Sequence, residues 1–340
     1  MNKYEILFDG GTGLFSQRLA DLYYKVKDYL DSEQQAHRSL CYTKVFLSDI
    51  ANQADELRQS PLMRDFVGQA DNTVIQQSPI GGAKIAVLMQ TSDAAPVFTL
   101  HSLRLTDAEV VNFGSYVQTV MLFDKYKEYL DSKGLTLKDH CVRTWIYVRD
   151  IDTNYDGMVK ARNDIFRQQQ LTTDTHFIAS TGIGGRSEGR NVSVAIDFLT
   201  APNVTPDDIL YLKALDHLNP THEYGVAFER GVRITLADAY QYFISGTASI
   251  NNKGEVINVG DVTRQAARLL ENIGALLADG GATMNDVRYF IIYLRDLADA
   301  PAIEAYMQQH FPQVPRILTY AKVCRPAWLV EMECVAERSR

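Results

Sequence analysis

Ile291-Ile-Tyr-Leu-Arg-Asp-Leu297 has two earlier counterparts in the chain, Lys44-Val-Phe-Leu-Ser-Asp-Ile50 and Trp145-Ile-Tyr-Val-Arg-Asp-Ile151. Each is rich in β-branched, aromatic and other apolar residues before its Asp, as a buried or half-buried strand is. The surroundings repeat with the strand. An amphipathic helix pattern precedes each copy, over about 15–30, over 107–130 and from 261 onward. In the last, Leu269, Leu270, Ile273, Leu276 and Leu277 share one face, and Gly280 and Gly281 stop the helix. A shorter helix is expected after each strand, near 56–67, 158–167 and 301–310, with Pro301 suited to a first helical turn. Closing segments over 73–82, 176–185 and 316–325 complete the copies. One order met three times predicts tandem α+β units of about a hundred residues each. The expected units are 1–95, 96–210 and 211–340, with Ala201-Pro-Asn-Val-Thr-Pro-Asp-Asp208 as a linker.

Composition removes several classes of function. Apolar residues make up 46% of the 340 positions and charged residues 22%, the balance of a folded globular chain. No apolar run approaches the ~18 residues of a membrane span. The net charge is −8 with Lys and Arg scattered, so no basic stripe invites nucleic acid. Cys41, Cys141, Cys324 and Cys334 form no CxxC pair, which suits a reducing cytoplasm, and no secretory leader is expected. No HExxH, EF-hand or Walker A pattern occurs, so neither a metal nor a cofactor is expected. His222-Glu223 has no second ligand at metal-site spacing.

The third unit carries a recognisable set of motifs. Ser245-Gly-Thr-Ala-Ser249, Asp261-Val-Thr-Arg-Gln265, Leu270-Glu-Asn-Ile273, Tyr293-Leu-Arg-Asp296 and Val330-Glu-Met-Glu333 stand in the order found in the Rid (YjgF) family, which they resemble over about 115 residues. That family forms trimers with ligand clefts between subunits. The resemblance therefore implies three Rid-like (chorismate-mutase-like) units in one chain, two of them degenerate, folded as a pseudo-trimer. In length and plan the chain is similar to the chorismatase branch. Arg143-Thr-Trp-Ile-Tyr147, the Tyr155, Arg162 and Phe166 helix, Ser180-Thr-Gly-Ile-Gly184, Tyr224-Gly-Val-Ala-Phe-Glu-Arg230 and Cys324-Arg-Pro-Ala-Trp-Leu-Val-Glu331 carry that likeness. Two positions depart from it: Ile146 stands where chorismatases tend to have Asn, and Glu229-Arg230 where they favour Ser-Arg.

What the resemblance implies for chemistry centres on Glu331 and Arg316, fifteen residues apart, in the order Rid enzymes use for a catalytic Glu and a carboxylate-binding Arg. An Arg fork holds a carboxylate by two hydrogen bonds. A Glu whose pKa is raised by burial passes a proton to or from carbon or water. Glu331 is flanked by Leu329, Val330, Met332 and Cys334, the setting of a buried strand, whereas a solvated strand-face carboxylate is the alternative. Glu333 shares that strand face and is expected to be structural. Aligning the closing strands puts Val87 and Ala195 opposite Glu331, so one active cleft per chain is expected, between units two and three. Arg162 and Arg230 are candidates for a second anion. Cys324 is expected as a small cleft wall, and Gly182 and Gly184 as members of a tight loop with positive φ.

Three functions fit this reading. The first is hydrolysis of the enolpyruvyl ether of chorismate, with Glu331 as acid and release of pyruvate. The second is hydrolysis of an imine or enamine, as Rid deaminases perform. The third is metabolite binding without turnover. Labels of translation inhibition and endoribonuclease activity also attach to Rid relatives, but the acidic charge argues against RNA. A small carboxylate is the expected partner, with neither nucleic acid nor membrane, for a chain that is monomeric or self-associated.

Overall fold

The computed structural model describes residues 2–340, Tyr224 by its backbone alone. The first 92 residues form β1 (Lys3–Phe8), α1 (Phe15–Gln35), β2 (Ser39–Leu47), α2 (Ile50–Gln59), α3 (Pro61–Asp65), β3 (Asp71–Gln76), β4 (Ser78–Pro79) and β5 (Ile85–Ser92). The next set is β6 (Thr99–Leu103), α4 (Ser115–Ser132), α5 (Leu137–His140), β7 (Cys141–Val148), α6 (Ile151–Gln168), β8 (Ala179–Gly184) and β9 (Val194–Thr200). The last is β10 (Ile209–Leu212), β11 (Gly231–Thr235), β12 (Ala239–Thr247), α7 (Val262–Asp279), β13 (Val287–Leu294), α8 (Ala300–His310), β14 (Arg316–Tyr320) and β15 (Val330–Ser339).

The sheets repeat as the sequence does. Their orders are β1-β5-β2-β3, β6-β9-β7-β8 and, within a longer sheet, β12-β15-β13-β14. In each, the last-formed long strand (β5, β9, β15) lies between two neighbours and runs antiparallel to both. The remaining pair is parallel (β2 with β3, β7 with β8, β13 with β14), which demands a helical crossover. Each parallel edge then meets the next unit. Gln76 bridges to Arg186, Ala179 bridges to Glu229, and β14 pairs with β4 through Thr319–Pro79 and Tyr320–Ser78. The ring closes from unit one to two, two to three and three to one. The chain is an α+β single-chain pseudo-trimer of three like units.

Alternation along the repeated strand serves two cores. Val45 and Leu47 enter a helix-covered core of unit one, and Ile146 and Val148 that of unit two. Phe46, Trp145, Tyr147, Ile291 and Tyr293 point the other way, into the central core where the sheets meet. Charges are buried there too. Lys44 Nζ lies 5.1–5.7 Å from the ring centroids of Phe46, Trp145 and Tyr147, without a hydrogen-bond acceptor among the described residues. Burial pushes its pKa down. Asp197, fully buried, accepts from Tyr147 Oη at 2.8 Å and Ser102 Oγ at 2.9 Å, and pairs with Arg104 Nη1 at 2.9 Å.

Some element limits differ from the sequence reading, for local reasons. α4 begins at Ser115 rather than 107, because the Asp107 carboxylate is occupied by the backbone N–H groups of Arg190 and Asn191. α6 begins at Ile151, seven residues before the expected start. Its Gly157 packs against α4, where a Cβ would lie 3.1 Å from the Tyr116 nitrogen. The 180–185 segment is not a tight loop: it runs through strand β8, and neither Gly182 nor Gly184 has positive φ.

The buried acid of unit two tests the central core. Asp197→Asn keeps the shape but leaves Arg104 and Lys44 uncompensated, so unfolding stability should fall by about 3 kcal/mol, read from a denaturant midpoint. A midpoint unchanged from native would show that these charges do not hold the core.

Candidate functional site

Glu331 is the second residue of β15, opposite Tyr293 of β13, and is 4% exposed. Its carboxyl group rests on the backbone of Gly246 in β12, where an added Cβ would lie 2.9 Å from Glu331 Cδ. Unit two supplies the facing wall, with Tyr155 and Arg162 from α6 and Ser180 and Gly182 from β8. Tyr155 and Arg162 are seven residues apart, two helical turns, and so share a face. The segment entering unit three adds Phe228 and Arg230, and the loop before β15 adds Cys324, Arg325 and Trp328. The cavity left between them is about 30 Å³, room for about one water. Its own side chains fill it.

The electrostatics follow from that dryness. Burial, and then the neighbouring Glu333, push the Glu331 carboxyl up to about 8, while Arg143 and Arg230 pull it down. Burial and Glu331 push the Cys324 thiol up to about 12, so it is a neutral wall rather than a nucleophile. Burial raises the Tyr155 phenol as well. The guanidinium groups of Arg162 and Arg230 approach the Phe228 ring at 5.9 and 5.4 Å, and that of Arg325 lies 5.2 Å from the Trp328 centroid. Arg230 Nη2 also donates to the Asn219 carbonyl at 3.0 Å. Three cations from three segments thus converge on one protonated carboxyl group. Among the described residues no group of three His, Cys, Asp or Glu is placed to hold a metal.

The structure brings Glu331, Arg162, Arg230, Cys324 and Gly182 into one cleft, and leaves Arg316 and Gly184 out. Gly184 lies beside it, against the backbone of Lys322, to whose carbonyl its N–H donates at 2.9 Å. Arg316 pairs in register with Phe290, which in turn faces Cys334, whereas Glu331 pairs with Tyr293. The two residues therefore occupy opposite faces of the sheet. Arg316 is tied to α8 through Glu304 at 2.5 Å and Gln308 at 2.8 Å, and to the Phe311 carbonyl at 3.2 Å. It lines a different, larger cleft of about 740 Å³ between units three and one. The position equivalent to Glu331 there is Ala86, because Phe46 pairs with Ala86, Tyr147 with Ala195 and Tyr293 with Glu331. Val87, the residue expected from alignment, is one place off and points into the helix-covered core. Sequence reasoning passed over Tyr155, Phe228, Trp328 and Gly246 as site residues, although the seven-residue spacing from Tyr155 to Arg162 signals a shared face.

Comparison with known proteins agrees with this architecture. The family model for Endoribonuclease L-PSP matches residues 231–338. The 3-aminoacrylate deaminase RutC of Acinetobacter baylyi is 34% identical over 107 residues, 31% of this chain and 84% of the relative. This chain belongs to the Rid (YjgF) family. A RutC family protein of Pyrococcus abyssi is 33% identical over 97 residues, 28% of this Rid protein and 76% of the relative. A crystal structure of chorismatase superposes on the Rid chain with a TM-score of 0.68, at 16% identity, covering 99% of this chain and 98% of that one. The whole length thus has the chorismatase fold.

Gly246 offers a test of how tightly the acid is held in this Rid protein. Gly246→Ala should push the Glu331 carboxyl toward the cavity and cost about 1–3 kcal/mol of stability by overpacking, measured by denaturant unfolding. An infrared titration should show the Glu331 carboxyl ionising at lower pH than in the native chain.

Proposed function

We propose that this protein hydrolyses the enol ether of a small dicarboxylate of the chorismate type. The observation that carries the reading is a buried Glu331 carboxyl group, which burial pushes up to about 8, lining one cleft with the guanidinium groups of Arg162, Arg230 and Arg325. Glu331 donates its proton to the enolpyruvyl methylene carbon. The adjacent ether carbon becomes an oxocarbenium ion, water adds to it, and the hemiketal collapses to pyruvate and a ring alcohol. The added water's proton returns to Glu331, so atoms and charge balance over the cycle. Arg162, Arg230 and Arg325 bind the two carboxylates, a role for which planar forked donors suit. Arg316 lies outside this cleft and is paired with Glu304. The full-length likeness to chorismatase supports this reading at the level of fold.

A second reading, imine hydrolysis with Glu331 as base, is favoured by the deaminase name of the RutC relative. The two separate by pH. An acid must be protonated, so its activity is full below about 8 and falls as pH rises through that value. A base must be ionised, and its activity rises through the same value. Incubation with chorismate should release pyruvate, with kcat/KM descending above pH about 8. Glu331→Gln should lower kcat by about 10²–10⁴-fold while the substrate still binds. Native turnover in Glu331→Gln, or the absence of pyruvate with the native protein, refutes the reading.

A further inference from the structure

Arg143-Thr-Trp-Ile-Tyr147 of unit two and Ser245-Gly-Thr-Ala-Ser249 of unit three meet in the fold, where Arg143 bonds Ser245. Glu333, two residues beyond Glu331 on the same face of β15, is 3% exposed. Its Oε2 accepts from Arg143 Nη2 at 2.8 Å and from Thr181 Oγ1, and its Oε1 accepts from Trp145 Nε1 at 2.8 Å. Arg and Trp nitrogens only donate. Thr181 Oγ1 accepts from the Gly246 N–H at 2.9 Å and so has its own proton available for Glu333. Each of these three contacts donates to Glu333, the arrangement that suits a carboxylate. Arg143 is locked in turn by Ser245 Oγ at 3.0 Å, which also accepts from the Ser180 N–H and donates to the Glu229 carbonyl. All three donors to Glu333 come from unit two.

We propose that Glu333 is a positioning residue for Glu331: an anion fixed by Arg143, Trp145 and Thr181 that keeps the neighbouring carboxyl group protonated. The inference rests on the proposed role of Glu331 and adds what sets its protonation state. Like charges two residues apart on one strand face are about 7 Å apart, close enough in a dry interior to shift one ionisation by about one to two pH units. The other groups facing Glu331 are Tyr293 of β13, Tyr155 and Arg162 of α6, Arg143 of β7, Arg230, and Cys324 and Arg325 of the loop before β15. Of these only the arginines are charged at neutral pH, and all of them oppose Glu333. Without Glu333 only burial would oppose them, and Glu331 would ionise at lower pH. The acid in unit three is thus made usable by donors in unit two, and the seam between the units is part of the machinery. This departs from the expectation that Glu333 is a structural bystander.

Two variants separate the charge from the shape. Glu333→Gln removes the anion at nearly constant volume; Glu333→Asp keeps it. An infrared titration of the Glu331 carboxyl, assigned by its loss in Glu331→Gln, needs no substrate. Glu333→Gln should move that titration about one to two pH units toward acid, and Glu333→Asp should leave it within about half a unit of native. The pH–rate limb of whichever reaction the protein catalyses should move by the same amount. Equal titrations in the native, Gln and Asp proteins overturn the inference, even if activity falls equally at every pH, since that is what a merely structural role gives. A native Glu331 that ionises in the ordinary carboxylate range overturns both this inference and the proposed acid. A raised native value that is insensitive to Glu333→Gln overturns only this one. If Glu333→Gln does not fold, Trp145→Phe, which keeps the anion and removes one neutral donor that compensates it, should leave the Glu331 titration at its native value or raise it, and a fall there overturns the proposal.

Discussion

Arg143 and Glu333 face each other across the seam between the second and third sheets, both almost dry, with 2.8 Å between nitrogen and oxygen. Removing two such ions from water costs several kcal/mol each, and a bare pair would not recover it. Here the cost is offset by geometry: Arg143 also donates to Ser245 and Thr181, and Glu333 also receives Thr181 and Trp145. Those contacts fix β7 and β8 against β12 and β15. The backbone of Gly246, and with it the resting place of the Glu331 carboxyl, is held by the same net through Thr181. Hydrophobic burial builds each unit, but this polar seam sets how units two and three sit on one another.

A ring built from one chain need not keep its three seams alike. In a homotrimer any residue appears at every seam, whereas here each seam has its own side chains. The seam between two and three combines an acid with three guanidinium groups. The corresponding place in unit two is Ala195, beside the bridge from Gln76 to Arg186 and the bond from Gln77 Nε2 to the Gly184 carbonyl. At the seam between three and one, Ala86 replaces the acid and Arg316 is spent on α8. The larger of these two clefts is therefore the one without an acid at the position of Glu331.

The threefold plan was legible because the inner strands must satisfy two cores at once, which constrains every position of Trp145–Val148 and of Ile291–Leu294. Such strands keep a visible likeness where surface residues drift. The burial of Glu331 was legible for a similar reason, since Val330, Met332 and Cys334 flank it as in a buried strand. Arg316 misled because chain spacing carries no record of sheet face once a loop intervenes. Between Arg316 and Glu331 lie nine residues outside any strand (321–329), and the parity of facing is lost there. In a cyclic assembly, two residues of one unit on opposite faces serve different neighbours. The role of Glu333 was hidden for another reason: its donors lie about 150–190 positions away in sequence, in another unit.

The charge state of the cleft connects these observations. With Glu331 protonated, the described residues lining the cleft carry three positive charges and no negative one, a field that attracts anions. Under the proposed mechanism, proton transfer leaves Glu331 as a carboxylate next to the newly formed oxocarbenium carbon. The repulsion from Glu333 that favoured giving up no proton to water is then balanced by a cation in the substrate, so the transition state gains an attraction that the resting site lacks. This is differential stabilisation rather than tighter ground-state binding. It also explains why dryness matters. The free volume is about 30 Å³, so a ligand must displace side chains to enter, and it displaces few waters in doing so. An open, hydrated cleft would screen Glu333, let Glu331 ionise, and remove both the proton and the field. Close packing of Tyr155, Cys324 and Trp328 around the carboxyl is thus part of the same electrostatic arrangement that Arg143 anchors from the other side of the strand pair.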